Sequence, residues 1–396
     1  MIPTANRLKE VQEYYFSRKL REVRKLKAAG HPILNMGIGS PDLAPSAEVL
    51  QTLRESLEDP GAHQYQSYQG LPELRQTIAD FYNQKFGVSL DAETEVLPLM
   101  GSKEGIMHIS MAFLNPGDRV LIPDPGYPTY ESVTRLVGAV AVPYALAEDN
   151  NWFPDLEALE EEGLEGVRLM WVSYPHMPTG ATATREQLAD LVRFARRNNI
   201  LLVNDNPYSF VLSRDPISIL GIPGGEGYVL ELNSLSKTFN LAGWRVGMLL
   251  GDTELLQAVL KVKSNMDSGM FYGIQKGAIA ALKSGAEWFD ALDATYRARR
   301  AGVFQVADLL GCSYDPRAVG MFVWARLPQG SCDSETFVDQ LLYEKHIFVA
   351  PGTIFGPQGE GYIRFSLCVP QEQIQEAFRR LVPAPAGGNF TKEIKR

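Results

Sequence analysis

Residues 228–247, Y-V-L-E-L-N-S-L-S-K-T-F-N-L-A-G-W-R-V-G, decide the reading of this chain. A strand-like run, Tyr228–Leu232, passes into a polar loop holding Ser234, Ser236 and Lys237, and a second strand-like run, Val246–Leu250, follows. In open α/β sheets ligands sit outside the carboxyl ends of the strands, so these polar side chains stand where a site forms. A lysine there attacks an aldehyde once burial or nearby cations lower its pKa. Arg245, eight residues on, adds a bidentate fork suited to phosphate, and the serine hydroxyls add short donors. A bare S-x-S-K is more often a surface loop. The full string from Ser234 to Gly247 packages aldehyde capture with anion capture.

Outward from this string, strand-type and helix-type patterns alternate. Arg119–Pro123, Val140–Tyr144, Arg168–Ser173 and Leu201–Asp205 read as further strands. L-M-W-V-S and L-L-V-N-D are nearly continuous apolar runs, as expected of strands covered on both faces. Between them Leu188, Leu191, Val192 and Ala195 recur at i, i+3, i+4 and i+7, the spacing of an amphipathic helix. Such alternation predicts an α/β fold with a mostly parallel sheet. From about Ala286 a long helical stretch gives way to M-F-V-W-A-R-L, I-F-V-A-P-G and Y-I-R-F-S-L, which predicts a second, α+β unit. The expected division is a large domain over 41–285, a small domain over 286–396, and a segment 1–40 packing with the small one. Helix is expected around Leu8–Ala28, and the tail V-P-A-P-A-G-G-N-F is expected to be loosely held.

Bulk properties exclude several classes. The 396 residues carry a formal charge of -9, which argues against a nucleic-acid binder while permitting a local anion site. Cys312, Cys332 and Cys368 form no C-x-x-C pair and suit a reducing compartment. The five histidines show no metal-ligand spacing, so no metal is expected. No signal-peptide h-region and no run of about 20 apolar residues occurs, which makes the cytoplasm the expected location.

The string Ser234–Gly247 resembles the cofactor-lysine motif of the class I/II, fold type I aminotransferases, and the resemblance runs from about Asn35 to Leu381. It implies pyridoxal 5′-phosphate held by Lys237 as a Schiff base, in a large domain with a mostly parallel, seven-stranded sheet. L-L-V-N-D-N-P-Y then places Asp205 beside the pyridine nitrogen, keeping the ring an electron sink, and Tyr208 on its phenolic oxygen. Read alone, D-N-P-Y is a plain turn. M-G-S-K-E-G-I opens a helix whose Gly101, Ser102 and Lys103 would present N–H groups and a positive dipole end to the phosphate. Tyr127 in D-P-G-Y-P-T-Y matches the aromatic stacked on the ring. Arg364 in G-Y-I-R-F-S-L matches the clamp on the substrate α-carboxylate, and Gly39 in G-I-G-S-P-D the close backbone approach to substrate. Tyr65, in Y-Q-S-Y-Q-G, matches a tyrosine reaching the phosphate of a neighbouring subunit, which implies a homodimer with shared sites.

One departure stands in S-Y-P-H-M-P-T-G, Ser173–Gly180: the family asparagine before Pro178 is Met177, and a thioether cannot donate a hydrogen bond. The Met177–Pro178 bond is a candidate for cis. Tyr14, Tyr15, Phe16 and Tyr272 are candidate pocket aromatics. The activity implied is ping-pong transfer of an amino group between an L-amino acid and a 2-oxo acid, with Lys237 carrying the proton. On the same scaffold, β-elimination from sulfur amino acids and ring closure on S-adenosylmethionine are alternatives. A ligand-sensing transcription regulator is the rival outside enzymes, opposed by the acidic charge and the lack of room for a DNA-binding domain.

Overall fold

Strand formation follows the apolar runs. The structure, a computed structural model, describes residues 2–9 and 15–382. Tyr14 and the tail beyond residue 382 lie outside these. A seven-stranded sheet runs in the order 96–99, 247–251, 229–234, 201–205, 167–172, 119–124, 140–145. Neighbours pair in parallel except Gly247–Gly251, which is antiparallel to both of its partners. The sheet is therefore mostly parallel, as the alternation predicts. Val96–Leu99, an edge strand containing Pro98, is the one strand of this sheet the sequence reading omits.

Along Val167–Val172, Leu169 and Trp171 face one side and Met170 and Val172 the other, and all four are fully buried. Period-two alternation sends them into separate cores. The helix Arg185–Asn198 buries the predicted Leu188, Leu191, Val192 and Ala195. Its start is fixed by a capping box in which the Thr184 hydroxyl accepts from the Gln187 N–H while the Gln187 side chain accepts from the Thr184 N–H. Its end is fixed by Asn199 in the left-handed region.

Beyond the 24-residue helix Ala286–Leu309, Phe322–Arg326 pairs antiparallel with Tyr362–Ser366 in a four-stranded sheet. That register sets Arg364 opposite Trp324 and Ala350. Leu34–Asn35 pairs in parallel with Ile347–Phe348, and Lys19 bonds Asp339, so the chain's early segment contacts its last third. The predicted first helix is observed as a 3-10 turn, Asn6–Leu8, and the helix Tyr15–Ala28. Among the described residues no helix is long and apolar enough to cross a membrane.

The loop after Met36 is tied down by charge. Arg299 donates from Nη1 to Asp42 Oδ1 at 2.7 Å and from Nη2 to Asp42 Oδ2 at 2.8 Å, and Nη1 also reaches the Leu367 carbonyl at 3.0 Å. Arg299 is buried while Asp42 stays partly in water, so losing these charge-assisted hydrogen bonds costs about 2 kcal/mol. Arg299→Ala is expected to lose roughly that much in urea unfolding; a loss under about 0.5 kcal/mol would show that the pair does not hold the loop.

Candidate active site

The carboxyl ends of the central strands bring the site together. Asp205 ends Leu201–Asp205, Ser234 ends Val229–Ser234, and Ser173 directly follows Val167–Val172. The loop expected around Lys237 is instead the strand's last residue followed by one helical turn, Leu235–Thr238. The Ser234 hydroxyl causes this: it accepts from the Ser236 N–H at 3.1 Å and caps the turn.

A cavity of about 610 Å³ receives Lys237, Asp205, Tyr208, Ser234, Ser236, Arg245, Ser102, Lys103, Tyr127, Gly39 and Arg364. With Phe16 and Met177, which line it too, thirteen of the positions singled out from sequence share one space. Gly101 adjoins it at φ +92°, and a Cβ there would stand 2.2 Å from Arg245 Nη2, so only glycine lets the guanidinium lie against the helix start. Tyr65 lies outside the cavity and is almost fully exposed on this chain. Of the candidate aromatics among the described residues only Phe16 lines it; Tyr272 donates to Asp59 instead.

Lys237 Nζ donates to the Gly39 carbonyl at 2.7 Å. Burial lowers its pKa, and the nearby Arg364 and Arg245 guanidiniums lower it further, against opposing contributions from Cys368 and Asp205. The amine is therefore easier to deprotonate than a surface lysine. Burial pushes the Asp205 carboxyl up to about 6, opposed by the Tyr130 hydroxyl, which donates to Oδ2 at 2.9 Å, and by Lys237. Asp205 Oδ1 has no hydrogen-bond partner. A buried carboxylate oxygen left unpaired is costly, and a protonated ring nitrogen would satisfy it. At the other end Ser234 Oγ and Ser236 Oγ are 2.8 Å apart, beside Arg245 and the first turn of the helix Ser102–Phe113. Hydroxyls, a guanidinium and helix-end N–H groups form a phosphate-type donor set. Both ends of the cavity thus fit pyridoxal phosphate.

Arg364 is buried, donates from Nη2 to the Gly37 carbonyl at 2.9 Å, and lies over the Phe322 ring at 3.9 Å. Met177, in the place of the family asparagine, lies 3.4 Å by its Sδ from Arg364 Nη1, and the Met177–Pro178 bond is cis, as expected. Gly39 has a packing reason the sequence did not reveal: a Cβ there would meet the Phe322 ring at 2.3 Å. Sequence reasoning also missed Tyr130, Ser173 and Phe322. Tyr130 lies 75 residues from Asp205 and stacks on Trp171 at 5.0 Å, contacts with no local signal. Tyr130→Phe removes a hydrogen bond to a charged group, worth about 1.5 kcal/mol, so pyridoxal phosphate should bind about tenfold more weakly in a fluorescence titration. Unchanged affinity would remove Tyr130 from the site.

His108 departs from the expectation of no ligand grouping: its ring, with Glu104 and Asp267, brings three ligand-type atoms within 4.8 Å. Glu104 and His108 are one helical turn apart, a spacing the search for H-E-x-x-H passes over. The cation beside them is Lys263, whose Nζ lies 3.0 Å from Asp267 Oδ2.

The family model for aminotransferase class I and II matches residues 31–381. The chain belongs to this family. Aminotransferases of this family use pyridoxal phosphate, and the enzyme class and cofactor anticipated from the lysine motif are borne out with it. Among similar curated proteins, an LL-diaminopimelate aminotransferase of Maridesulfovibrio salexigens is 40% identical over 95% of this chain and 98% of its own. One of Oleidesulfovibrio alaskensis is 39% identical with the same coverage. Among solved structures, substrate-bound BacF of Bacillus subtilis superposes with a TM-score of 0.92 at 33% identity, over 96% of this chain and 97% of its own. An aminotransferase of Staphylococcus aureus gives 0.87 at 30% identity, over 96% and 98%. Both superpositions bear out the predicted α/β fold.

Proposed function

We propose that this aminotransferase moves an amino group between an L-amino acid and a 2-oxo acid, with Lys237 as the amine that holds the cofactor and carries the proton. The observation that supports it most is a half-buried amine of lowered pKa sharing one cavity with an unpaired Asp205 oxygen and a hydroxyl–guanidinium anion cradle. When bound, pyridoxal phosphate supplies a conjugated ring that accepts the electrons released at the substrate Cα.

The chain's own residues do the rest. Ser102, Ser234, Ser236, Arg245 and the N–H groups of 101–103 hold the phosphate, with Lys103 alongside. Tyr127 covers the ring face, Tyr208 donates to the phenolic oxygen, and Asp205 keeps the ring nitrogen protonated. Arg364 grips the α-carboxylate and Gly39 lies next to the substrate. Lys237 Nζ, released from the Gly39 carbonyl, would take the proton from the substrate Cα as a general base and, once protonated, give it up again on the cofactor side as a general acid. With Met177 unable to donate, Tyr208 is the remaining donor to the phenolic oxygen.

In this reading residues 41–285 are the cofactor domain, 286–396 the small domain, and 1–40 a segment joined to the latter through the Leu34–Ile347 pairing. The enzyme works in the cytoplasm as a homodimer, with Tyr65 serving the neighbouring subunit; the exposure of Tyr65 and Tyr68 on the single chain supports this. Product analysis of the half-reaction tests the proposal. A 2-oxo acid with the aminated cofactor is expected; pyruvate plus ammonia would establish β-elimination instead.

A further inference from the structure

We infer that Glu231 is a positioning residue for the cofactor's phosphate seat, acting through Tyr82 and Asn233 on Ser234; the inference rests on the function proposed above. These side chains lie behind the cavity, inside the chain: Tyr82 and Glu231 are fully buried and Asn233 nearly so. Glu231 belongs to the strand Val229–Ser234, whose Val229, Leu230 and Leu232 are apolar. An acidic side chain buried there costs free energy that another apolar one would not. Its surroundings show what it holds. The Tyr82 hydroxyl, from the helix Pro72–Phe86, donates to Oε1 at 2.8 Å. The Ile219 N–H donates to Oε2 at 3.0 Å and Asn204 Nδ2 to the same oxygen at 3.4 Å, and the Ser218 hydroxyl adds a further bond. Burial pushes the carboxyl's pKa above the ordinary value, and these donors hold it down.

The bonds have a direction. Period-two alternation puts Glu231 and Asn233 on one face of the strand, and the Tyr82 hydroxyl bridges them. Tyr82 gives its proton to Glu231, so its oxygen is left to accept, and Asn233 Nδ2 donates to it at 2.8 Å. With Nδ2 engaged, Asn233 Oδ1 faces the other way and accepts from the Ser234 N–H at 2.7 Å. Ser234 ends the strand, caps the turn that carries Lys237, and pairs with Ser236 Oγ in the anion cradle. The carboxylate thereby decides which way an amide points, and the amide pins the strand end. Glu231→Gln keeps the shape and reverses that order. Its single oxygen stays with Ile219, Ser218 and Asn204, so its NH₂ group faces Tyr82, whose hydroxyl must then turn its proton toward Asn233. The Asn233 amide flips to accept it and sets Nδ2 against the Ser234 N–H, donor against donor. Tyr82→Phe cuts the same path at its middle.

Pyridoxamine 5′-phosphate reads the seat without attachment, since its amine cannot condense with Lys237. The cofactor-free, full-length protein is titrated with it by fluorescence, and the phosphorus resonance of the bound molecule is recorded. Glu231→Gln and Tyr82→Phe are each expected to weaken binding about tenfold, what one buried donor left unpaired costs, and to shift that resonance. The double variant is expected to bind within about twofold of the weaker single one, because both changes cut one path. Ser218→Ala takes a donor from the same carboxylate on the side away from Asn233. It is expected to leave the affinity within about twofold of the parent's and the resonance in place. Should Glu231→Gln not fold, the contrast between Tyr82→Phe and Ser218→Ala decides. Unchanged affinity in Tyr82→Phe overturns the inference. So do single losses that multiply to about a hundredfold in the double variant, or a loss in Ser218→Ala equal to that in Tyr82→Phe, which would mean general loosening. If the parent itself does not bind pyridoxamine phosphate, the proposed function fails and this inference with it.

Discussion

Lys237→Ala is expected to lower transamination by about 10⁴-fold or more, the largest effect of any single change in this chain. Two losses combine. The amine that holds the cofactor is gone, and so is the general base and acid, whose contribution alone reaches about 10⁴-fold. The anion cradle of Ser234, Ser236 and Arg245 is untouched, so cofactor should still bind, with an absorbance unlike that of the parent enzyme. Lys237 is half-buried at the cavity and its amine rests on one carbonyl, Gly39 at 2.7 Å, so truncation leaves a small cavity and one freed acceptor rather than a broken core. Added methylamine should restore part of the rate by entering that cavity as a replacement base. Turnover within tenfold of the parent, measured with a coupled oxo-acid assay, would contradict the assignment.

Asp205→Asn is expected to act in opposite directions on activity and on stability. Activity should fall about a hundred- to a thousandfold, the usual loss when one charge-stabilising group is removed from a site. The cofactor-free protein should become more stable. The carboxyl titrates near 3.8 when exposed and is pushed up to about 6 by burial in the folded chain. Below pH 4 it is protonated in both states and costs nothing. Between pH 4 and 6 the unfolded chain ionises while the folded chain resists, so the cost of folding grows with pH and is complete above about 6. Two pH units correspond to about 3 kcal/mol, so the cofactor-free variant should gain up to roughly that much over the parent at pH 8, and little at pH 4. Urea unfolding at the two pH values checks this. Equal stabilities at pH 8 would mean that the buried carboxylate is compensated by a contact other than the Tyr130 hydroxyl.

What the sequence could reveal follows from what local patterns encode. Leu169–Val172 and Leu201–Asp205 are apolar on both faces, and only a sheet covered on both sides makes such runs favourable; both were legible. The direction of Gly247–Gly251 was not, because alternation marks a strand without saying which way its neighbours run. Val96–Leu99 escaped because Pro98 argues against an interior strand. It is tolerated there because the strand lies at the sheet edge, with a partner on one side only.

The site divides in the same way. Lys237, Arg245, Ser234 and Ser236 lie within one string whose chemistry is readable as it stands. Asp205 and Arg364 needed the resemblance, since each alone is a turn residue or a strand arginine. Tyr130 and Phe322 were beyond both. Their roles come from a hydrogen bond and a ring packed on Gly39, each made by residues far apart in the chain.

The central claim is that one particular amine holds the cofactor, and among the described residues Lys103 is the other lysine lining the same cavity. Borohydride treatment of the cofactor-loaded enzyme, followed by peptide mapping, makes that attachment permanent and locates it. The pyridoxyl group is predicted on the peptide containing Lys237. Its recovery on Lys103, or on any peptide outside Ser234–Gly247, would contradict the account.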